Sequence, residues 1–235
     1  INLNNIKNND ENSFHYQDQN TLYQYNKYNQ ESEILHKLPD NEKLIDYYFW
    51  NQDLYLIKTV SNKTVLTKIP ESDSNNINKN IELKNNNHYF KDSYENLLLI
   101  EDISNKTVYF IDQDLTKIKF FKNNLINADY QEDNKLLLLQ TDQELSFINI
   151  GQNENKEENI TRYSQGLQKA LWYNNSNYTF SLQNGIIRIT ELDKRDRQIT
   201  INLPTSEVTN FYFDPNMDYL YFIENDQLKY LTLTE

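Results

Sequence analysis

The stretch Ser-Asn-Lys-Thr-Val occupies Ser61–Val65 and recurs 43 residues later at Ser104–Val108. Similar apolar runs, Leu54–Val60 and Leu97–Ile103, precede the two copies. A repeat of this length built from short apolar runs is typical of stacked or radial β-repeats. The repeated stretch therefore predicts an all-β repeat architecture, and it leaves the activity open.

Aromatic residues extend the repeat through the chain at intervals of 40 to 42 residues, at Tyr47, Tyr89, Tyr130, Trp172 and Tyr212. Five units are clear, and a degenerate sixth comes first. We expect one domain over residues 1–235, with units at about 1–40, 41–84, 85–123, 124–164, 165–204 and 205–235. The last unit ends before a fourth strand, so residues Ile1–Ile6 either supply that strand or form the first strand of unit one.

Each unit is predicted to hold four short strands. In the third unit these are His88–Lys91, Leu97–Glu101, Thr107–Ile111 and Lys117–Phe121. The second strands Leu97–Ile100, Leu136–Leu139 and Tyr219–Ile223 are continuously apolar, which indicates strands covered on both faces. Four-stranded antiparallel sheets packed face to face predict a β-propeller of about six blades with a repeat of about 41 residues.

Two local segments carry their own predictions. Gln183-Asn184-Gly185 is the strongest hairpin signal in the chain. Glu31–Leu38 fits either two helical turns, with Ile34, Leu35 and Leu38 on one face, or a fourth strand; its place in the repeat favours the strand.

The composition excludes several classes of function. The formal net charge is −12, the wrong sign for a nucleic-acid or anionic-membrane binder. The absence of cysteine excludes disulfides, thiolate catalysis and cysteine-based zinc sites. The chain has 37 asparagines and only 3 glycines, a composition typical of an AT-rich genome. We therefore expect Asn or Asp where turns need a positive φ.

Two stretches in the last blades resemble a known propeller family. Trp172–Ile189 is similar to the pattern W-x-P-D-S-x-x-L-x-x-x-x-x-G-x-I-x-I, and Phe213–Phe222 to x-S-P-D-G-x-x-L-x-F. These are blade patterns of TolB-like propellers, especially those that follow PEGA domains in bacterial envelope proteins. The family's Pro-Asp-Gly turn is replaced by Asn174-Asn175-Ser176 and by Pro215-Asn216-Met217. The family offers no catalytic motif to carry over.

The resemblance implies a protein outside the cytoplasm, in the cell envelope or at the surface. No apolar run is long enough to span a bilayer, and the first residue is Ile. We therefore expect an excised piece whose membrane anchor lies upstream of Ile1.

Candidate catalytic groups are sparse. His15, His36 and His88 fall in different units with no shared spacing, and no G-x-S-x-G nucleophile motif is present. Asp112-Gln113-Asp114 lacks the further oxygens of a calcium loop, which favours a polar turn. Asp46, Asp92 and Asp129 lie on or beside first strands, where they could ring one mouth of a channel as catalytic acids, a weak cation site or solvated side chains.

Three functional hypotheses follow. The first is a non-enzymatic interaction or scaffold module with a protein or envelope partner and no catalytic, cofactor or metal residues. The second is a glycan- or small-ligand-binding propeller that uses tyrosines and acids at the rim. The third is a hydrolase, which would require Asp46, Asp92 and Asp129 to converge within about 10 Å.

Overall fold

The computed structural model describes residues 4–8, 11–71, 79–84, 87–151, 156–164, 166–173, 177–192 and 198–233. These residues form antiparallel sheets in which each strand pairs with its neighbours along the chain; five sheets have four strands and one has three. We number the sheets blades 1 to 6 in chain order. Within this part of the chain, no helix has the length and hydrophobicity to cross a bilayer.

The chain divides into two compact units, Ile1–Phe121 and Lys122–Glu235. Blade 1 comprises β1 Asn4–Asn8, β2 Ser13–Asp18, β3 Thr21–Asn26 and β4 Glu31–Lys37. Blade 2 comprises β5 Glu42–Trp50, β6 Asp53–Val60, β7 Lys63–Ile69 and β8 Lys79–Leu83. Blade 3 comprises β9 His88–Tyr94, β10 Leu97–Asp102, β11 Thr107–Asp112 and β12 Ile118–Asn123.

The remaining blades follow the same order. Blade 4 comprises β13 Asn127–Gln131, β14 Leu136–Gln140, β15 Glu144–Asn149 and β16 Glu157–Arg162. Blade 5 comprises β17 Leu167–Tyr173, β18 Tyr178–Gln183, β19 Ile186–Glu191 and β20 Thr200–Asn202. Blade 6 comprises β21 Val208–Asp214, β22 Tyr219–Glu224 and β23 Gln227–Thr232. That residues 1–235 form a single domain stays a prediction.

The ambiguous segments resolve as strands. Glu31–Lys37 is β4, paired with β3, so the helical interpretation is wrong. Ile34 is exposed whereas Leu35 packs towards the core beside Leu56, an alternation expected of an outer strand. The described residues of β1 pair with β2, so they form the first strand of blade 1, one of the two predicted alternatives.

The second strands hold the core. The side chains of Leu97–Ile100 are all buried, as predicted for a strand covered on both faces. Leu98 and Ile100 pack with residues of blade 2, including Tyr55 and Ile57, in one apolar cluster. In the second unit, Phe180 and Leu182 of blade 5 form such a cluster with blade 6. Within each unit, the apolar faces of consecutive sheets thus bury one another.

The second strand of blade 6 departs from its prediction. Leu220 and Phe222 are buried in the cluster with Phe180, whereas Tyr219 and Tyr221 are half-buried and Ile223 is exposed. Successive side chains of a strand point to opposite faces, and only one face of β22 enters the core. The prediction that Tyr219–Ile223 is covered on both faces is therefore wrong.

Several turns place Asn or Asp in the left-handed region, as the scarcity of glycine predicts. Asn184 and Gly185 have φ values of 52° and 73°, the conformation of a type I′ hairpin. A Cβ on Gly185 would lie 2.9 Å from the backbone of Glu207, so glycine is required there. Residues with longer side chains, among them Gln19 and Lys135, also have positive φ, so residues other than Asn and Asp take the place of glycine in some turns.

The two copies of Ser-Asn-Lys-Thr-Val form different turns. In the first copy, Ser61 and Asn62 are a two-residue loop, both with positive φ. In the second copy, the loop has four residues, and Lys106 carries the positive φ. The Asp102 carboxylate stabilises the longer loop, because it accepts hydrogen bonds from the backbone N–H of Asn105 at 3.2 Å and from its amide at 2.8 Å.

Leu182→Ala tests the packing of blades 5 and 6. The side chain of Leu182 is fully buried, so the substitution should lower the free energy of unfolding by about 2–5 kcal/mol. Leu228→Ala is the matched control because Leu228 is 73% exposed, and it should change stability by less than about 0.5 kcal/mol. Urea denaturation measures both, and equal losses would contradict this packing.

Acids of the first strands and a candidate binding cleft

Each first strand is the edge strand of its sheet, so one side of its backbone has no ladder partner within that sheet. In the first unit, Asp46 on β5 supplies such a partner to blade 3. Its Oδ2 accepts the backbone N–H of Phe90 on β9 at 2.9 Å, and its Oδ1 accepts the N–H of Tyr47 at 2.8 Å. The Asp46 side chain is 5% exposed, so this carboxylate links two blades from a buried position.

Lys7 on β1 continues the link to blade 1. Its Nζ lies 2.9 Å from Asp46 Oδ1, donates to the carbonyl of Tyr47, and sits 4.7 Å from the centre of the Tyr47 ring. Burial and the neighbouring Asp46 carboxylate raise the pKa of Tyr47 above its usual range, so its phenol stays neutral. The charge of Asp46 is therefore compensated by a lysine and by two backbone N–H groups.

The second unit has a similar link between neighbouring first strands. Asp129 on β13 accepts the backbone N–H of Trp172 on β17 at 2.7 Å, and the Trp172 indole N–H donates to the Asp129 carbonyl at 2.9 Å. Gln140, at the end of β14, adds a second link: its Oε1 accepts the N–H of Ala170 at 2.9 Å, and its Nε2 donates to the Leu167 carbonyl at 3.1 Å. Side chains from the first two strands of blade 4 thus bind the backbone of the first strand of blade 5 through hydrogen bonds.

Lys169 joins blade 5 to blade 6 as Lys7 joins blade 1 to blade 2. Its Nζ donates to the Asn210 side-chain oxygen at 3.0 Å and to the Phe211 carbonyl at 2.7 Å. It also lies 5.5 Å from the centre of the Phe211 ring. Burial lowers the pKa of Lys169, and the nearby Asp129 carboxylate opposes that shift.

Asp92 has a local role. Its Oδ1 accepts the N–H of Ser93 at 2.8 Å, and its Oδ2 accepts the Tyr94 hydroxyl at 2.7 Å. Asp46 and Asp92 belong to the first unit and Asp129 to the second, and each accepts hydrogen bonds from residues of its own unit. The predicted convergence of the three acids around one mouth stays a prediction.

The pKa of Asp129 is raised from its ordinary value of 3.8. The largest cause is burial; hydrogen bonds from Trp172 and Tyr130 and the charge of Lys169 act in the opposite direction. A raised carboxyl pKa is a property of general acids. Here, however, the carboxylate already accepts hydrogen bonds from the backbone N–H groups of Trp172 and Tyr130, so its role is structural.

The first strands of the second unit also form a cleft of about 400 Å³, which we call the tyrosine cleft. Blade 4 contributes residues from β13 and the turn after it, and blades 5 and 6 contribute residues around the ends of β17 and β21. The lining is rich in aromatic rings: Asp129, Tyr130, Gln131, Asp133, Lys169, Leu171, Trp172, Tyr173, Tyr212, Phe213 and Pro215.

The aromatic side chains of the tyrosine cleft are held in place from behind. The Tyr173 ring meets Phe213 edge-on at 5.2 Å and Phe180 at 5.0 Å, while the Trp172 ring meets Phe147 edge-on at 6.1 Å. Tyr212 is 59% exposed and presents a free face to solvent. Such a site offers fixed aromatic surfaces beside the carboxylates of Asp129 and Asp133, which suits stacking and cation–π contacts.

Other candidate groups fall outside this cleft. His15 is buried against the Phe49 ring at 4.3 Å, and His88 is buried with its Nε2 3.9 Å from Asp102 Oδ2. Asp112 closes a turn by accepting the N–H of Thr116 at 2.7 Å, as the polar-turn interpretation predicts. Among the described residues, no three His, Asp or Glu side chains are placed to hold a metal ion. The turn Asn174–Ser176, where the family pattern departs, lies outside the described residues.

Asp46 and Asp129 were predicted from the sequence as candidate site residues, whereas the residues that complete their links between blades were not. Lys7, Lys169 and Gln140 carry no motif, and their roles depend on which blade lies beside them. A usable signal was present in Gln17 and Gln140, which lie three repeat lengths apart. Both donate to the carbonyl of a leucine on the next first strand.

Comparison with known proteins supports the fold. No family model matches the chain, and no curated protein matches it. The chain is similar to Hsv2 of Kluyveromyces lactis, with 11% identity and a TM-score of 0.52 over 99% of this chain and 74% of that chain. The similar structures are WD40-like β-propellers, so the predicted all-β propeller of about six blades is confirmed.

Two further likenesses are weaker. The Cps50 (Swd1) β-propeller domain of Myceliophteria thermophila has 10% identity and a TM-score of 0.49, over 95% of this chain and 80% of that chain. A chain from the mitotic checkpoint complex has 12% identity and a TM-score of 0.45, over 99% of this chain and 87% of that chain. At these identities the likeness concerns the fold alone.

Asp46→Ala tests the link between blades 2 and 3. Removal of the carboxylate leaves the N–H groups of Tyr47 and Phe90 without this acceptor, so the free energy of unfolding should fall by at least about 2 kcal/mol. Asp46→Asn keeps one acceptor oxygen and should lose less. Asp40→Ala, at an exposed position, should stay within about 0.5 kcal/mol in the same urea titration. Equal effects at Asp46 and Asp40 would exclude the link.

Asp129→Asn tests the pKa of Asp129 through the pH dependence of stability. Because the folded-state pKa is raised, the native chain binds a proton that the unfolded chain has already released. Wild-type stability should therefore decline relative to the variant as the pH rises from 3.8 through the higher folded-state pKa. Urea midpoints of both proteins across pH 4 to 8 measure this, and a difference that does not change with pH would contradict it.

Proposed function

We propose that the chain is a non-enzymatic interaction module that binds a protein partner through the tyrosine cleft. The observation that carries the proposal is the partly exposed, aromatic-lined cleft of about 400 Å³ at the first strands of the second unit. Tyrosine and tryptophan dominate the binding energy of protein interfaces because they bury large areas with few rotatable bonds. The rings of Trp172 and Tyr173 are already fixed by their neighbours, which lowers the entropy cost of binding.

Charge favours a basic partner segment. Asp129 and Asp133 line the cleft, and the chain as a whole has a net charge of −12. Opposite charge accelerates association and selects against acidic competitors. A lysine or arginine side chain of the partner would meet both the carboxylates and the faces of the tyrosines.

The proposed cellular setting is outside the cytoplasm, in the cell envelope or at the cell surface, as the distal part of an anchored protein. The resemblance of Trp172–Ile189 and Phe213–Phe222 to TolB-like blades that follow PEGA domains supports this setting. Sequencing of the region encoded upstream of Ile1 tests it, because the proposal requires a signal sequence or a membrane anchor there.

A second candidate function is the recognition of a glycan or another small ligand in the same cleft. The volume of the cleft falls within the range of about 300–1,000 Å³ typical of small-molecule sites. The exposed ring of Tyr212 could stack on a sugar, with Asp133 as a hydrogen-bond acceptor. A glycan array with no hits for the wild-type chain would remove this candidate.

Tyr212→Ala tests the protein-partner proposal. Immobilised wild-type chain should retain a partner from an envelope extract, and the variant should lose at least about 2 kcal/mol of binding free energy because an interface anchor is removed. Tyr28→Ala is the matched control, since Tyr28 is 78% exposed and is not one of the residues that line the cleft. Binding isotherms of the retained protein to all three chains give the comparison. If the Tyr212 variant binds as tightly as the Tyr28 variant, the tyrosine cleft is not the interface.

A further inference from the structure

A second, polar pocket lies in the second unit, where the end of β16 meets blade 5. It has a volume of about 480 Å³, and its lining consists mostly of hydroxyl, amide and guanidinium groups. The lining residues are Thr161, Arg162, Tyr163, Ser164, Gln183, Asn184, Arg188 and Thr200. Two of the four arginines of the chain are in this set, and none of the described residues that line the pocket is acidic.

Arg188 is the inner cation of the pocket. It lies on β19 with Ser181 opposite it on β18 and Asn202 opposite it on β20. One terminal nitrogen, Nη1, donates to the side-chain oxygen of Gln183, whereas the buried Nε–H has no hydrogen-bond acceptor in the part of the chain that the structure describes. Within the described residues, Arg188 forms no ion pair with a carboxylate. Its charge is therefore held by a neutral amide, and the edge formed by Nε and Nη2 remains available for an acceptor.

The buried Nε–H calls for an explanation, because buried donors of charged groups almost always find a partner. The Nε–Nη2 edge of a guanidinium presents two parallel N–H groups at the spacing of two oxygens of a carboxylate or phosphate. Gln183 holds the guanidinium from the Nη1 side, which leaves this edge free. A small turn of the guanidinium would bring it to an oxyanion in the pocket.

Arg162 stands at the rim. Its side chain is 74% exposed, and its Nε lies 3.6 Å from Glu144 Oε1. Glu144 also lies 3.5 Å from Lys122 Nζ through its other oxygen, so it is shared between two cations. The terminal nitrogens of Arg162 are left to reach an anion in the pocket.

The neutral groups of the lining suit the same ligand. Thr161 and Ser164 carry hydroxyls that can donate hydrogen bonds, and Asn184 carries an amide. The Thr200 hydroxyl also lies 3.2 Å from Thr190 Oγ1, so it can donate to a ligand when it accepts from Thr190. The Tyr163 hydroxyl lies 3.0 Å from Ser181 Oγ, which fixes the wall between blades 4 and 5. In a chain of net charge −12, this pocket is a local concentration of positive charge and donors.

We propose that this pocket binds an oxyanion, a phosphate, sulfate or carboxylate group, on the Nε–Nη2 edge of Arg188 with Arg162 closing the rim. The site is independent of the tyrosine cleft, since it uses the other end of blade 5. Gln183 pairs with Leu167 at the start of β17, whereas Tyr173 of the cleft ends that strand. One propeller blade thus serves two sites of opposite charge preference.

Titration of the whole chain with sodium phosphate, sodium sulfate and sodium acetate, each against sodium chloride at matched ionic strength, tests the proposal. Backbone amide shifts in NMR spectra report the binding. The amides of Thr161, Gln183 and Thr200 should shift with saturation in at least one oxyanion and remain unchanged in chloride. Saturation by phosphate and sulfate identifies a tetrahedral group, and saturation by acetate identifies a carboxylate.

Variants decide whether the arginines form the site. Arg188→Lys keeps the charge but removes the two parallel N–H groups of the guanidinium edge, so the affinity for the oxyanion should fall at least about tenfold. Arg162→Gln should weaken binding too and should fold normally, because the side chain is largely exposed. Lys117→Gln removes one exposed charge in the first unit and should bind as the wild type does. Unchanged affinity in Arg162→Gln, equal losses in Lys117→Gln, or no saturable shift in any oxyanion would each overturn the proposal.

Discussion

The buried backbone of the first strands sets the main constraint on this protein. Each first strand is an edge strand, and an edge N–H or carbonyl buried without a partner is costly. The neighbouring blade supplies the missing partner from a side chain: Asp46 accepts from Phe90, and Asp129 accepts from Trp172. Backbone carbonyls of first strands also accept hydrogen bonds from side chains: Leu44 accepts from Gln17, and Phe211 accepts from Lys169. Consecutive blades are therefore joined by directed hydrogen bonds as well as by apolar packing within each unit.

This constraint changes how the acids are interpreted. A first-strand carboxylate with a raised pKa, such as Asp129, has a feature of a catalytic acid. Its oxygens, however, are directed at backbone N–H groups, and Lys169 compensates its charge from nearby. The exposed aromatic side chain of the same cleft is instead Tyr212, at 59%. The proposed binding role therefore rests on the aromatic rings, and the acids contribute position and charge.

The sequence predicted the fold through its repeat, because apolar strands and polar turns alternate at a fixed period. It could not predict how the two copies of Ser-Asn-Lys-Thr-Val turn, since a residue outside the string, Asp102, holds the second loop through hydrogen bonds to Asn105. The exposed side of Tyr219–Ile223 was missed because an apolar strand does not reveal which face is packed. Among the site residues, the acids were visible from their positions. The tyrosine cleft and the polar pocket could not be predicted, because their lining residues come from different blades. Tyr130, Trp172 and Tyr212, for example, line one cleft only in the folded unit.

Amide hydrogen exchange tests the side-chain links between blades most directly. Measured by NMR on the wild-type chain, the N–H groups of Phe90 and Trp172 should exchange as slowly as the ladder amides of the inner strand β10. Each donates to a carboxylate, that of Asp46, which is buried, or that of Asp129, which is half-buried. In the Asp46→Ala chain, Phe90 should exchange faster while Trp172 remains protected. Fast exchange of both amides in the wild-type chain, at the rate of residues in exposed turns, would contradict the account.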